Sequence, residues 1–154
     1  MSTLASELLN QTFETTDGEQ TLAELIGDGA VLFFYPRAST PGCTKEAEGF
    51  RNQLEAFSKA GYRVLGASRD KLRAQQRFAE KLELPYPLIA DPEETLCEGF
   101  GVMAEKNMYG KTVRGIERST FVLDKSGNIV QEWRKVKVPG HVDEVLASVQ
   151  AGGA

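Results

Sequence analysis

Residues Ala30–Tyr35 read AVLFFY, an unbroken apolar run of strand length. A strand with one wet face alternates apolar and polar residues. One with none is covered on both faces. A chain built around such a strand needs packing material above and below its sheet, which restricts it to layered folds. The residues that follow say what the layers are. Pro36–Gly42 (PRASTPG) holds two prolines and a glycine and reads as a loop. A helix is expected from about Cys43 to Ala60, because Ala47, Phe50, Leu54 and Phe57 recur at steps of three and four on one face. Tyr62–Ser68 (YRVLGAS) is the next strand and Lys71–Leu82 a charged amphipathic helix. This βαβα order sets two parallel strands side by side through a right-handed crossover.

The flanks complete the pattern. Gln11–Thr16 and Glu19–Thr21 surround Asp17-Gly18, a two-residue hairpin signal, and Leu22–Ile26 is a short helical turn before Gly27. Pro87–Ala90 reads as a strand and Pro92–Phe100 as a helix. Ser119–Asp124 and Ile129–Val136 are strands joined by the turn residues Lys125–Asn128, and His141–Gln150 is a closing helix. The whole reads as an α/β three-layer sandwich of thioredoxin type with an N-terminal β-hairpin extension. At 154 residues it is expected to be one domain, residues 1–154.

Charge and composition narrow the function classes. The formal net charge is −4 and no run of basic residues is present, which argues against nucleic acid or an anionic membrane as a partner. No apolar stretch approaches the roughly 20 residues that span a bilayer. The opening MSTLASELLNQTF lacks the basic start and apolar run of a secretory signal, so a cytoplasmic protein is expected. Two cysteines, Cys43 and Cys97, form neither a CxxC pair nor a structural zinc set. His141 is the only histidine, so Cys–His hydrolase chemistry would depend on it alone; a structural or surface role suits it better.

Cys43 is the candidate reactive residue. It stands where a helix begins after a buried strand, and the partial positive charge of a helix N-terminus favours a thiolate. A free cysteine with pKa near 8.5 is only about 3% thiolate at pH 7, so full deprotonation gains at most roughly 30-fold. Efficient chemistry on a small substrate also needs positioning and charge stabilisation. Thr40 can accept a hydrogen bond from a substrate oxygen and donate elsewhere. Pro36 and Pro41 stiffen the loop, and Gly42 lets the backbone approach a small ligand closely. An arginine is required as a permanent cation with a fixed fork of donors, but pattern alone selects none of those present.

The segment Pro36-Arg37-Ala38-Ser39-Thr40-Pro41-Gly42-Cys43-Thr44-Lys45-Glu46-Ala47 resembles the active-site segment of peroxiredoxins, with proline, threonine and cysteine at 36, 40 and 43. It is most similar to the bacterioferritin comigratory protein, or peroxiredoxin Q, branch. Gly66–Asp70 (GASRD), Glu105–Lys111 (EKNMYGK) and Gly115–Phe121 (GIERSTF) resemble the same branch, and the similarity runs from about residue 8 to 150. The resemblance implies a thiol peroxidase acting on hydrogen peroxide and organic hydroperoxides through a sulfenic acid, without metal or organic cofactor. It implies Cys43 as the attacking thiol, Arg118 as the arginine that polarises the peroxide, and Glu46 as the carboxylate that orients Arg118. It also implies a monomer reduced by thioredoxin, with glutaredoxin or a small thiol as alternatives.

The chain departs from the branch where a second cysteine is common. Glu48 stands five residues after Cys43, and Ala79 stands at the other usual position, in the following helix. Only Cys97 remains, between the core-facing Leu96 and Phe100, and it reads as a buried structural thiol rather than a resolving one. A one-cysteine mechanism with an external thiol is therefore expected, with a two-cysteine route through Cys97 as the alternative. A thioredoxin-like oxidoreductase and a non-enzymatic holdase are the other classes this fold admits; the missing CxxC weighs against the first. Trp133 is expected to serve packing, and Lys106–Lys111 to form a loop near the site mouth where Met108 and Tyr109 shape access.

Overall fold

The computed structural model describes residues 2–152. Its centre is an eight-stranded sheet. The inner strands are β4 (Gly29–Phe34), β5 (Arg63–Ser68) and β6 (Leu88–Ala90), which run parallel. To one side, β9 (Ser119–Asp124) joins β4 antiparallel, followed by β10 (Asn128–Trp133) and the two-residue β1 (Ser2–Thr3). To the other, the hairpin of β2 (Thr12–Thr15) and β3 (Gly18–Thr21) attaches antiparallel through β2 to β6. Gly18 takes φ 102° at that turn, and the Thr15 hydroxyl closes it by donating to the Gly18 carbonyl at 2.6 Å.

The apolar run in β4 splits between two cores. Val31, Phe33 and Tyr35 face one side; Leu32 and Phe34 face the other, and all are fully buried. The first core is closed by α3 (Pro41–Asn52), α4 (Leu54–Lys59), α5 (Leu72–Leu82) and α7 (His141–Gln150). The second is closed by α2 (Leu22–Ile26) and α6 (Thr95–Gly99), with Leu8 and Leu9 of α1 (Ser6–Leu9) against it. This is a thioredoxin-like fold with a mixed sheet between two helical layers. Each core buries phenylalanines in mutual contact, such as Phe33 stacked on Phe50 at 4.6 Å between centroids, and Phe100 against Phe121 at 4.9 Å.

Several boundaries differ from the sequence reading. The helix expected from Cys43 starts at Pro41, because proline's fixed φ suits the first helical position and Thr40 supplies the extended residue before it. It does not run unbroken to Ala60: Gln53 leaves helical geometry at φ −107°, ψ 9°, and α4 is a separate piece. α6 starts at Thr95 rather than Pro92, since Glu94 is left-handed at φ 66°. β10 ends at Trp133. β1 and α1 were not foreseen, being too short to show a period. Residues 106–111 are not a loop. They belong to a second, two-stranded sheet of β7 (Met103–Met108) and β8 (Lys111–Ile116), turning at Tyr109-Gly110. Among the described residues, no helix is long and apolar enough to cross a membrane.

Candidate active site

The parallel strands β4 and β5 end side by side, and the loop after β4 carries the chain into α3. Cys43 is the third residue of that helix. The first bond of the helical ladder runs from the Thr44 N–H to the Thr40 carbonyl at 2.9 Å, so the Gly42 and Cys43 amides precede the ladder and lie at its positive end. Cys43, Glu46, Ala47 and Phe50 share the buried face of α3. Cys43 is a free thiol, 1% exposed.

Arg118 arrives from the opposite direction, one residue before β9. Its Nη2 lies 3.4 Å from Cys43 Sγ and its Nη1 donates to Glu46 Oε1 at 2.7 Å. The guanidinium thus spans the sulfur and the carboxylate with two nitrogens of one planar fork. Gly42 is what leaves room for it: a Cβ there would sit 3.3 Å from Arg118 Nη2.

Glu46 is fully buried, and its Oε2 has no hydrogen-bond partner among the described residues. Burial pushes its carboxyl up to about 7 against the opposing pull of Arg118. Burial also works against the Arg118 cation, but the Glu46 carboxylate and the Cys43 sulfur outweigh it and hold its pKa above the ordinary arginine value. Thr40 is half-buried and donates its hydroxyl hydrogen to the Arg37 carbonyl at 2.8 Å. With the hydrogen so engaged, the Thr40 oxygen keeps lone pairs free to accept. Pro36, half-buried, follows Tyr35 directly and opens the loop.

The structure thus brings together Cys43, Arg118 and Glu46, with Thr40 one turn away on the same helix start. It sets Cys97 apart. Cys43 belongs to the core on one face of the sheet and Cys97 to the core on the other. Cys97 is fully buried in α6, where its N–H donates to Asp91 Oδ2 at 2.8 Å. Burial first, and then the Asp91 carboxylate, push its thiol far above the usual range. Glu48 lies near Arg51 at 3.9 Å, and Ala79 packs on the core that holds Cys43. Tyr109 is 98% exposed at the hairpin tip, so it packs against no site wall; the Met108 side chain lies outside the described residues. Sequence reasoning missed Asp70, whose Oδ2 accepts the Ala38 N–H of the cysteine loop at 2.8 Å.

His141 is buried, 4% exposed, with Nε2 2.8 Å from the Thr120 hydroxyl and its ring edge-on to Trp133. Burial lowers its pKa to about 4. Between pH 4 and 6.5 the unfolded chain binds a proton there that the folded chain does not, so the stability His141 contributes fades as pH falls through that window. Glu46 has the opposite sign: its raised pKa makes stability fade as pH rises from 4.5 to about 7. Each slope is about 1.4 kcal/mol per pH unit. Urea unfolding from pH 4.5 to 6.5 is expected to give parent-minus-variant stabilities that rise with pH for His141→Gln and fall with pH for Glu46→Gln. Two differences with the same slope would refute the assignment.

Residues 5–132 match the AhpC/TSA family. The chain is 50% identical over 133 residues to Peroxiredoxin Bcp of Xanthomonas campestris pv. campestris, covering 86% of this chain and 83% of that one. It is 44% identical over 131 residues to Peroxiredoxin Bcp of Escherichia coli strain K12, covering 84% of each. The solved bacterioferritin comigratory protein of Xanthomonas campestris, described for its alkyl peroxide reduction activity, superposes with a TM-score of 0.91 at 45% identity, covering 98% of this chain and 97% of that one. Matched to the family model over most of its length, at 44–50% identity to these relatives and with a fold shared from end to end, the chain belongs to the peroxiredoxins, thiol-dependent peroxidases, in the Bcp or peroxiredoxin Q branch.

Proposed function

We propose that this peroxidase works with one cysteine of its own and borrows the second thiol from outside. The Cys43 thiolate attacks one oxygen of the hydroperoxide. The S–O bond forms, the O–O bond breaks, and the departing oxygen takes a proton to leave as water or an alcohol. Arg118 Nη2, already 3.4 Å from the sulfur, faces the charge that moves onto the oxygens, and Glu46 keeps the fork in that plane. Thr40 accepts the peroxide O–H, and Pro36 stiffens the loop that presents it. An external thiol then attacks the Cys43 sulfenic sulfur, expelling water, and a second thiol clears the mixed disulfide. Thioredoxin, glutaredoxin or a small dithiol fits that role, and the protein acts as a monomer. Both hydrogen peroxide and organic hydroperoxides are substrates, in line with the alkyl peroxide activity named for the Xanthomonas relative.

The separation of Cys43 and Cys97 into cores on opposite faces of the sheet carries the one-cysteine reading. A disulfide needs Cα atoms within about 7 Å, and joining these two would require one core to open. Intact-mass measurement after one equivalent of peroxide, without reductant, is expected to show addition of oxygen at Cys43. Quantitative loss of two hydrogens, with a Cys43–Cys97 peptide on digestion, would establish the two-cysteine route instead.

A further inference from the structure

The loop before Cys43 is held by a hydrogen-bond chain that starts and ends on the loop itself. Tyr35, the first residue after β4, donates its hydroxyl to Gln75 Oε1 on α5. Gln75 Nε2 donates to the Ser68 hydroxyl oxygen and to the Ile89 carbonyl, both at 2.9 Å. Ser68 in turn donates to Asp70 Oδ2 at 2.6 Å, and its oxygen also receives the Asp70 N–H at 3.2 Å. The same Asp70 Oδ2 accepts the Ala38 N–H at 2.8 Å. Tyr35, Ser68 and Gln75 are fully buried.

The accounting allows only one orientation. The Tyr35 hydroxyl faces the Gln75 oxygen, so both amide hydrogens of Gln75 point to Ser68 and Ile89. Ser68 then has two donors on its oxygen and must give its own hydrogen to Asp70. Asp70 is left as the one acceptor in the chain that reaches the loop backbone. It binds at Ala38, next to Ser39, which sits in the left-handed region at φ 68°. A serine in that conformation is strained and persists only where neighbouring contacts over-determine it. The Ala38–Asp70 bond on one side and the start of α3 on the other do so here.

Resting on the reading of Cys43 as the peroxide-attacking thiol, we propose that Asp70 is a positioning residue for peroxide reduction. By holding the Ala38 amide, it fixes the strained loop that sets the Thr40 hydroxyl and the helix start against Cys43. It acts through the loop and touches no reacting atom. Its effect is therefore specific to a reagent that must be oriented. A hydroperoxide must lie in line with the sulfur between Thr40 and Arg118, whereas a haloacetamide needs only an accessible thiolate.

The test measures two rate constants at Cys43 in the parent, Asp70→Ala and Asp70→Asn: oxidation by hydrogen peroxide and alkylation by iodoacetamide. Asp70→Ala is expected to slow oxidation by about 10–100-fold, the scale of a misplacement near 1 Å, and to change alkylation by less than about threefold. Asp70→Asn keeps an acceptor oxygen for Ala38 and Ser68 and is expected to recover most of the oxidation rate. Equal slowing of both reactions, an unchanged oxidation rate, or no recovery in Asp70→Asn would overturn the proposal. Should Asp70→Ala not fold, Asp70→Leu, close to aspartate in shape and likewise without an acceptor for Ala38, enters the same comparison with the same criteria. A parent that alkylates at Cys43 but is not oxidised there would instead refute the peroxide-attacking reading of Cys43.

Discussion

Replacing Cys43 by serine should abolish peroxide consumption, with a loss on the order of 10⁵-fold, comparable to removing the nucleophile of other covalent catalysts. The substitution changes one atom at a site that is 1% exposed, so the fold and the Arg118–Glu46 pair should survive it. A serine hydroxyl is a poor nucleophile toward peroxide oxygen and forms no sulfenic acid. Cys97 cannot substitute, because its thiol is fully buried and held protonated by burial and Asp91. The measurement is peroxide consumption with a thiol reductant present, compared with reductant alone. If Cys43→Ser retains more than a tenth of the parent activity, the chemistry lies elsewhere.

Arg118→Met should slow the oxidation of Cys43 by about 10²–10³-fold, the usual cost of removing a preorganised donor from developing negative charge. That range decides the role of the arginine. Iodoacetamide alkylation of the same variant reads the loss of thiolate alone, so slowing of oxidation in excess of it reports charge stabilisation on the peroxide. Arg118→Lys should fall close to Arg118→Met, since one ammonium cannot bridge Glu46 at 2.7 Å and Cys43 at 3.4 Å as the fork does. Removing Arg118 also leaves Glu46 buried without its cation, a loss of about 3–5 kcal/mol if the carboxylate stayed ionised. Its pKa, already near 7, lets it take up a proton instead. The double variant Arg118→Met, Glu46→Gln separates this effect, and its oxidation should stay as slow while its urea midpoint recovers. Stopped-flow oxidation at the parent rate in Arg118→Met would remove Arg118 from the site.

How far these features could be read in advance depended on the range of the interactions behind them. β4 was legible because burial on both faces leaves its mark in every residue of the run. The cysteine loop was legible because prolines, glycine and a helical period punctuate it locally. Arg118 could be singled out only by resemblance, because its 75-residue separation from Cys43 leaves no local trace. The bond between Asp70 and Ala38, 32 residues apart, leaves no local trace either, and no resemblance assigned Asp70 a role. The β7–β8 hairpin was misread in part because a period of two needs a core to impose it. That two-stranded sheet stands outside the main one, and β8 is exposed along most of its length. His141 is a polar residue whose burial is decided by Thr120 and Trp133 on other elements.

The sheet that parts the two thiols also bears on how the protein must be supplied. On the proposed one-cysteine route, an oxidised Cys43 waits for a molecule arriving by diffusion, so its lifetime shortens in proportion to the thiol concentration around it. Peroxide arriving during that wait competes for the same sulfur and carries it to the sulfinic state, which external thiols do not reverse. The ratio of thiol to peroxide in the surrounding solution, rather than any property of the folded chain, then decides how many turnovers each molecule completes before it is lost.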